Sequence, residues 1–354
     1  MLKDLCFEII QKCPNNCLFC SSCADITKEN IISYEDFTKT IDYFYEKYGI
    51  KEISLSGGEP LLHPDLYKMI AYCSNKGIKT VLFTSGLKLR HHLQEKEILI
   101  LKNNLIKQYA SYKKEGMPED EFQLLINKIM QIYLKYDSFP YDSLSTTDVN
   151  HLENVGLRKI VFDFQAWNQN VYDYLMGTKN YLNYTQESLI KASCSSIDVD
   201  VHFIPNKANY RELPDIVEML NVANVQSLSL LNFVPQGRGF LNKDKLLLSP
   251  NELIEFKKIY EEQIKIFKGQ IRVGIPLLHE NQHLCTAGYD KLVIKYDGTI
   301  LPCPAFKEFD LTTLNNLGIE TPSIYDDLSK FSLKSATREE PLCKKLYNFT
   351  TSLK

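Results

Sequence analysis

The chain has 354 residues, 44% of them hydrophobic, and a net charge of −3. That is enough apolar material for one large domain plus a small one, without the basic excess that a nucleic-acid partner selects. No stretch approaches the roughly 20 apolar residues that cross a bilayer, and the opening MLKDLCFEIIQKC is too short and interrupted for a signal peptide. Ten cysteines without a secretion signal point to metal or redox use in a reducing, cytoplasmic setting rather than to a disulfide framework.

In chain order, Asp4–Ile10 is a predicted strand that runs into Cys13-Pro14-Asn15-Asn16-Cys17-Leu18-Phe19-Cys20. The spacing is C-x3-C-x2-C. Three thiolates on one loop can hold three irons of a [4Fe-4S] cluster and leave the fourth iron open for chemistry, whereas four-cysteine ligation suits electron transfer. Cys23 follows three residues later, so a four-ligand zinc site is an alternative on the loop alone. A helix is expected at Tyr34–Tyr48 and a strand at Glu52–Leu55, followed by Ser56-Gly57-Gly58-Glu59-Pro60. Two glycines there let the backbone approach a ligand closely, and Pro60 stops the strand. Leu66–Lys76 is helical and Lys79–Phe83 a strand, ending in Thr84-Ser85-Gly86.

A charged, helix-rich stretch at 91–136 then interrupts the rhythm, with apolar residues at helical spacing between Lys and Glu. It is expected to form a solvated helical hairpin, with a lid or docking element as the functional alternative. Strands resume at Arg158–Phe164, Asp198–Phe203 and Ser227–Val234. Alternating β and α units of this kind imply an α/β fold with a parallel sheet and helices outside. Chemistry in such barrels sits at the C-terminal ends of strands. Asp163 at the end of the fourth strand could bind a ligand or be a satisfied buried carboxylate. His202 in the fifth is expected to be a core histidine. After the sixth comes Pro235-Gln236-Gly237-Arg238-Gly239, where Arg238 offers a fork for a carboxylate.

The C-terminal part carries Cys285, a turn at Tyr296-Asp297-Gly298-Thr299 between Lys291–Lys295 and Ile300–Leu301, then Cys303 and Cys343. Cys6, Cys73 and Cys194 fall on element patterns and are expected to be small buried hydrophobes.

The cysteine loop followed by the Gly-Gly-Glu-Pro turn resembles the radical S-adenosylmethionine (radical SAM) superfamily. The resemblance implies a partial (β/α)6 TIM-like barrel over 1–245, with the helical insertion at 91–136. It implies a [4Fe-4S] cluster on Cys13, Cys17 and Cys20 whose open iron chelates the amine and carboxylate of SAM. Gly57, Gly58, Glu59 and Pro60 then lie at the methionine amine of SAM, Ser85 near its ribose or carboxylate, Asp163 at the ribose or the substrate, and Arg238 at the carboxylate of SAM. Cys23 becomes an unligated thiol.

The run C-x12-G-x4-C from Cys285 through Gly298 to Cys303 resembles the opening of SPASM and Twitch domains. That implies a small Twitch/SPASM-like domain over 246–354 housing a second, auxiliary [4Fe-4S] cluster on Cys285, Cys303 and Cys343. The later CxxC pairs of a full SPASM domain are absent, so the fourth ligand is open, with His283 one candidate. Relatives of this subgroup modify ribosomally made peptides or protein side chains by crosslinking, oxidation or epimerisation. The alternatives are dehydrogenation or rearrangement of a small molecule, such as an aminocyclitol or nucleoside, and a non-catalytic SAM-binding regulator. A flavodoxin- or ferredoxin-type electron donor is implied, with no nucleic-acid or membrane partner. The catalytic residue is not assigned. No peptide-recognition domain is expected before the first strand, and the insertion is a candidate replacement for one.

Overall fold

The computed structural model describes residues 2–273 and 286–333. The sheet that organises it has nine strands. In chain order these are β1 (Asp4–Ile10), β2 (Glu52–Gly57), β3 (Lys79–Thr84), β6 (Lys159–Asp163), β7 (Asp198–Phe203), β8 (Ser227–Leu230), β9 (Gln270–Val273), β10 (Lys291–Ile294) and β11 (Ile300–Leu301). The remaining two strands, β4 (Leu87–Leu89) and β5 (Tyr141–Ser143), form a separate ribbon. The sheet order is β11-β10-β1-β2-β3-β6-β7-β8-β9, parallel throughout except for β10–β11.

The six expected strands are all present and adjacent in the expected order, as a partial TIM-like barrel requires. The sixth is shorter than expected, ending at Leu230 rather than Val234, because the chain turns away toward Gln236-Gly237. The expected hairpin forms as β10 and β11. Its first strand also pairs in parallel with β1, from Asp4↔Lys291 to Phe7↔Ile294, so the hairpin extends the barrel sheet. Nothing in the sequence pattern flagged β9.

Helices alternate with these strands. They are α1 (Tyr34–Tyr48), α2 (Leu66–Asn75), α3 (Glu95–Gln108), α4 (Ala110–Lys114), α5 (Glu119–Asp137), α6 (Thr146–Asn154), α7 (Gln169–Met176), α8 (Leu182–Ser193), α9 (Leu213–Val222), α10 (Arg238–Leu241), α11 (Lys243–Leu246), α12 (Pro250–Ile266) and α13 (Leu311–Asn316). The start of α1 shows why the boundaries fall where they do. Ser33 caps it by accepting from the Asp36 N–H at 3.0 Å, and Gly49 ends it in the left-handed region at φ 64°. Its buried stripe is Phe37, Thr40, Ile41 and Phe44, and Phe37 meets Phe7 of β1 at a ring-centroid distance of 5.3 Å.

Period-two alternation sorts the sheet into two faces. Leu5, Phe7, Ile9, Ile53, Leu55, Leu82, Ile160, Phe162, Val201, Phe203, Leu228 and Leu230 all point outward and are fully buried or nearly so. The intervening inward residues include Glu8, Ser54, Ser56, Asp163, His202 and Ser229.

Two compact units divide the chain: residues 1–87 with 143–354, and residues 88–142. The division therefore falls at the insertion, slightly wider than 91–136. The second unit is the expected helical hairpin, with a small core of its own built from Leu105, Phe122, Ile126 and Met130. No helix among the described residues is long and apolar enough to cross a membrane.

Candidate active site

Because β1, β2, β3, β6, β7 and β8 run in one direction, the loops after them share one rim. The chain leaves β1 through a register shift between Glu8 and Ile10 against β2, which bends it into the cysteine loop. That loop is held from two sides. The Asn16 N–H donates to the Met176 carbonyl at 2.8 Å and the Leu18 N–H to the Leu175 carbonyl at 2.9 Å, so it rests on the C-terminal end of α7. The Cys13 N–H donates to the Asp25 carbonyl at 3.1 Å.

Cys13 and Cys17 are each 8% exposed, Cys20 is half-buried, and none of the three is in a disulfide. Burial pushes all three thiols up; Cys20 adds to the effect at Cys13, and Cys20 and Cys13 add to it at Cys17. Glu59 adds to it at Cys13 and Asp163 at Cys17, while Arg238 partly offsets it. Cys17 Sγ also lies 3.9 Å from Met176 Sδ. Three gathered thiols with carboxylates beside them are poor thiolates unless a multivalent cation neutralises them. Among the described residues no three Cys, His, Asp or Glu side chains converge closely enough to share a single metal ion. Three thiols on one loop are the donor number of a [4Fe-4S] cluster with one open iron, whereas a structural zinc takes four donors.

The Gly-Gly-Glu-Pro turn lies directly against this loop. A Cβ at Gly57 (φ 139°) would sit 2.1 Å from the Ile10 carbonyl oxygen, and one at Gly58 2.3 Å from that of Lys12. The Gly58 N–H donates to the Ile10 carbonyl at 2.6 Å and the Glu59 N–H to the Lys12 carbonyl at 2.9 Å. Only glycine permits that approach. Glu59 is fully buried and accepts from Thr84 Oγ1 (2.5 Å), Ser85 Oγ (2.6 Å), the Ser85 N–H (2.8 Å) and the Leu61 N–H (3.1 Å). Burial nevertheless pushes it up to about 7, those hydrogen bonds working the other way. Glu59 thus ties the turns after β2 and β3 together, and the polar groups of Ser85 serve that tie. Pro60 begins the short 3-10 turn that follows.

Asp163 ends β6 beside Cys17, and burial pushes its carboxyl up to about 6. Gln165 donates to Asp163 Oδ1 and also to the His202 carbonyl at 3.1 Å, and accepts from the Ile204 N–H at 2.8 Å. His202 is half-buried, with its ring 5.2 Å from that of Phe83. Burial, with Arg272 and Lys159 nearby, pushes its imidazole down to about 4.

Arg238 reaches back to the cysteine loop. Its Nε donates to the Cys17 carbonyl at 3.0 Å, its Nη2 donates to the Ala24 carbonyl, and its Nη1 lies 3.7 Å from Asp25 Oδ2. Its own N–H donates to the Cys20 carbonyl at 3.0 Å. The guanidinium thus meets oxygens of Cys17, Ala24 and Asp25, in and just after the cysteine loop. The reason is proximity: Gly237 (φ 54°) packs so tightly that a Cβ there would be 2.8 Å from the Cys20 carbonyl oxygen.

Three side chains that the sequence reading passed over complete the site. Glu8 of β1 is fully buried. It accepts from Ser22 Oγ at 2.6 Å, within the stretch that follows Cys20, and from Lys307 Nζ at 2.5 Å. Burial works against the Lys307 ammonium, yet Glu8 holds it above its ordinary range. A glutamate inside the apolar run LCFEII was a signal for Glu8, but nothing local marked Lys307. Tyr172 of α7 is fully buried near Cys17 and Asp163, its hydroxyl 2.9 Å from Thr185 Oγ1.

Of the C-terminal cysteines, Cys303 is half-buried at the end of the hairpin, packed on a core containing Ala287, Val293, Leu301 and Phe306. Cys285 and Cys343, like His283, lie outside the described residues. Cys73 is buried as expected and Cys6 half-buried, but Cys194 is exposed because it caps the C-terminus of α8 at the surface.

The Radical SAM superfamily model matches residues 7–110, the stretch with β1, β2, β3, the three-thiol loop and the Gly-Gly-Glu-Pro turn. The chain carries a radical SAM domain. A PqqA peptide cyclase from Bradyrhizobium diazoefficiens is 20% identical over 304 residues, covering 84% of this chain and 65% of that protein. The chain thus spans about two thirds of the curated relative's length. SuiB of Streptococcus suis bound to S-adenosylmethionine superposes with a TM-score of 0.61 at 15% identity, over 99% of this chain and 68% of SuiB. SuiB bound to its precursor peptide SuiA gives 0.60 at 15% identity over 97% and 66%. Native anSMEcpe with bound AdoMet gives 0.55 at 11% identity over 88% and 80%. The superfamily match lies in the sequence, and the α/β fold is shared with these solved structures.

Proposed function

We propose that this chain is a radical SAM enzyme that modifies a ribosomally made peptide or a protein side chain. The observation that carries the reading is the gathering of three thiols at the rim, two buried and one half-buried, with the Gly-Gly-Glu-Pro turn seated against their loop. Cys13, Cys17 and Cys20 would hold a [4Fe-4S] cluster. When bound, that cluster would pass one electron to the sulfonium of SAM, breaking the C5′–S bond to give methionine and a 5′-deoxyadenosyl radical that takes a hydrogen atom from substrate.

The chain's own residues supply position and exclusion of water. Arg238 and the end of α7 fix the loop, and Glu59 locks the turns after β2 and β3, so the backbone around Gly57 and Gly58 is presented in one conformation. Asp163 offers a buried acceptor on the side of Cys17. The peptide reading is supported by the names of the relatives: a peptide cyclase and an enzyme captured with its precursor peptide. A flavodoxin- or ferredoxin-type donor would supply the electron. An auxiliary cluster on Cys285, Cys303 and Cys343 remains part of the proposal.

The test is anaerobic reconstitution with iron and sulfide, followed by dithionite and SAM. The wild type should release 5′-deoxyadenosine, and Cys17→Ala should fall to background. Equal product from both would overturn the reading. Removing Cys13, Cys17 and Cys20 together should leave about four irons per chain if the auxiliary cluster exists, and near-zero iron would dismiss it.

A further inference from the structure

Four inward-facing residues lie in one row across the last four parallel strands. Strand register pairs Asp163 of β6 with His202 of β7, His202 with Ser229 of β8, and Ser229 with Arg272 of β9. The acidic members of this part of the inner face are already engaged. Asp163 accepts from Gln165, and Asp200 is paired with Lys159 at 3.0 Å.

Arg272 stands apart. Its Nε and Nη2 donate to Ser229 Oγ at 3.2 and 3.1 Å, and Ser229 is fully buried. Among the described residues no carboxylate lies within ion-pair distance of this guanidinium, and the residue is exposed. A buried hydroxyl therefore fixes one edge of the fork while the other edge is left for a visitor. A planar guanidinium held this way has lost little further freedom on pairing, and its geometry matches a carboxylate. His202 carries no competing positive charge near neutrality. The position is one of recognition and not of chemistry. Arg272 is three strand steps of about 4.8 Å from Asp163, the member of the row beside the cysteine loop.

We propose that Arg272, aimed by Ser229, captures a carboxylate of the substrate, which makes the preferred substrate a peptide that presents a free carboxylate. The proposal rests on the peptide-modifying reading above. The carboxylate can be an Asp or Glu side chain or a peptide C-terminus, since both present the same two oxygens.

The test uses the reconstituted holoenzyme with SAM and three pools of acetylated random heptapeptides. One pool has a fixed central Glu and an amidated C-terminus, the second a fixed central Gln and an amidated C-terminus, and the third a fixed central Gln and a free C-terminal carboxylate. Retained peptide is quantified by mass spectrometry. The wild type should retain the Glu pool or the free-acid pool about 10-fold more than the amidated Gln pool, as expected for a charge-assisted bidentate pair. Whichever leads identifies the source of the carboxylate. Arg272→Gln should equalise the pools and Arg272→Lys should recover part of the preference. If Arg272→Gln fails to fold, Ser229→Ala serves instead, since it keeps the charge and loosens its aim, and the preference should shrink. Equal retention of all pools by the wild type, or a preference that survives Arg272→Gln, would overturn the proposal. Formation of 5′-deoxyadenosine by the wild type is read separately. Product without a carboxylate preference sinks the carboxylate capture alone, and a carboxylate preference without product sinks the proposed chemistry alone.

Discussion

The two faces of the main sheet are built on opposite principles. The outward face of β1, β2, β3, β6, β7 and β8 is a largely apolar layer under helices, with Phe7, Leu55, Phe162 and Phe203 fully buried and Thr80 of β3 a polar residue within it. The inward face of the same strands carries Glu8, Ser54, Ser56, Asp163, His202 and Ser229. One face exists to bury area. The other holds ionisable groups in low dielectric, where each must find a partner or change its protonation state. Stability is therefore stored outside, and the charges that chemistry needs are positioned inside.

The largest effect should come from breaking the Glu8–Lys307 pair on the inner face. Lys307→Met leaves a buried carboxylate uncompensated, a loss of about 3–5 kcal/mol, and denaturant unfolding measures it. A double variant, Glu8→Leu with Lys307→Met, should recover much of that loss, because it removes both desolvated charges. If the single variant costs less than about 1 kcal/mol, the inner charges are solvated and the contrast between the faces collapses.

A smaller effect should appear with pH. His202 has an ordinary value of 6.5 and is pushed down to about 4 in the folded state. The unfolded chain then binds the proton more tightly, so stability is fully present above about pH 6.5 and is lost as pH falls toward 4, by up to about 3 kcal/mol. Arg272 and Lys159 face the ring and oppose its protonation. In His202→Phe this segment of the stability–pH curve should flatten, and an unchanged slope would remove His202 from the buried inner face.

The smallest effect lies on the outer layer of helices. Ser33→Ala deletes the cap of α1 and should cost about 1 kcal/mol, read as a shift in the urea midpoint.

Much of the outer face was legible in the sequence, because it is written as local periodicity. Asp4–Ile10, Asp198–Phe203 and Tyr34–Tyr48 appear with the bounds the pattern implies. The inner face was legible only where a motif names it. The three-thiol loop and the Gly-Gly-Glu-Pro turn announced themselves by spacing, and their contact explains why both are needed. Arg238 stands out in its glycine-flanked run, yet its partners lie on a loop more than 200 residues away and could not be read from the run itself. Lys307 meets Glu8 across a separation of 299 residues, and no local pattern encodes such a pair. Strand β9 is four residues of mixed character after a charged helix, too short for its alternation to stand out.

The parallel pairing of β10 with β1 sets an order of assembly. Asp4 and Lys291 are partners 287 residues apart, so one edge of β1 waits for its neighbour after it leaves the ribosome. At about 5–20 residues per second, that wait is roughly 15–60 s. Throughout it, β1 offers a bare edge and Glu8 lacks its ammonium partner, so the nascent barrel is at its most aggregation-prone just upstream of the cysteine loop. A translation pause within this window would lengthen that exposure, whereas a chaperone that shields an open strand edge would shorten it.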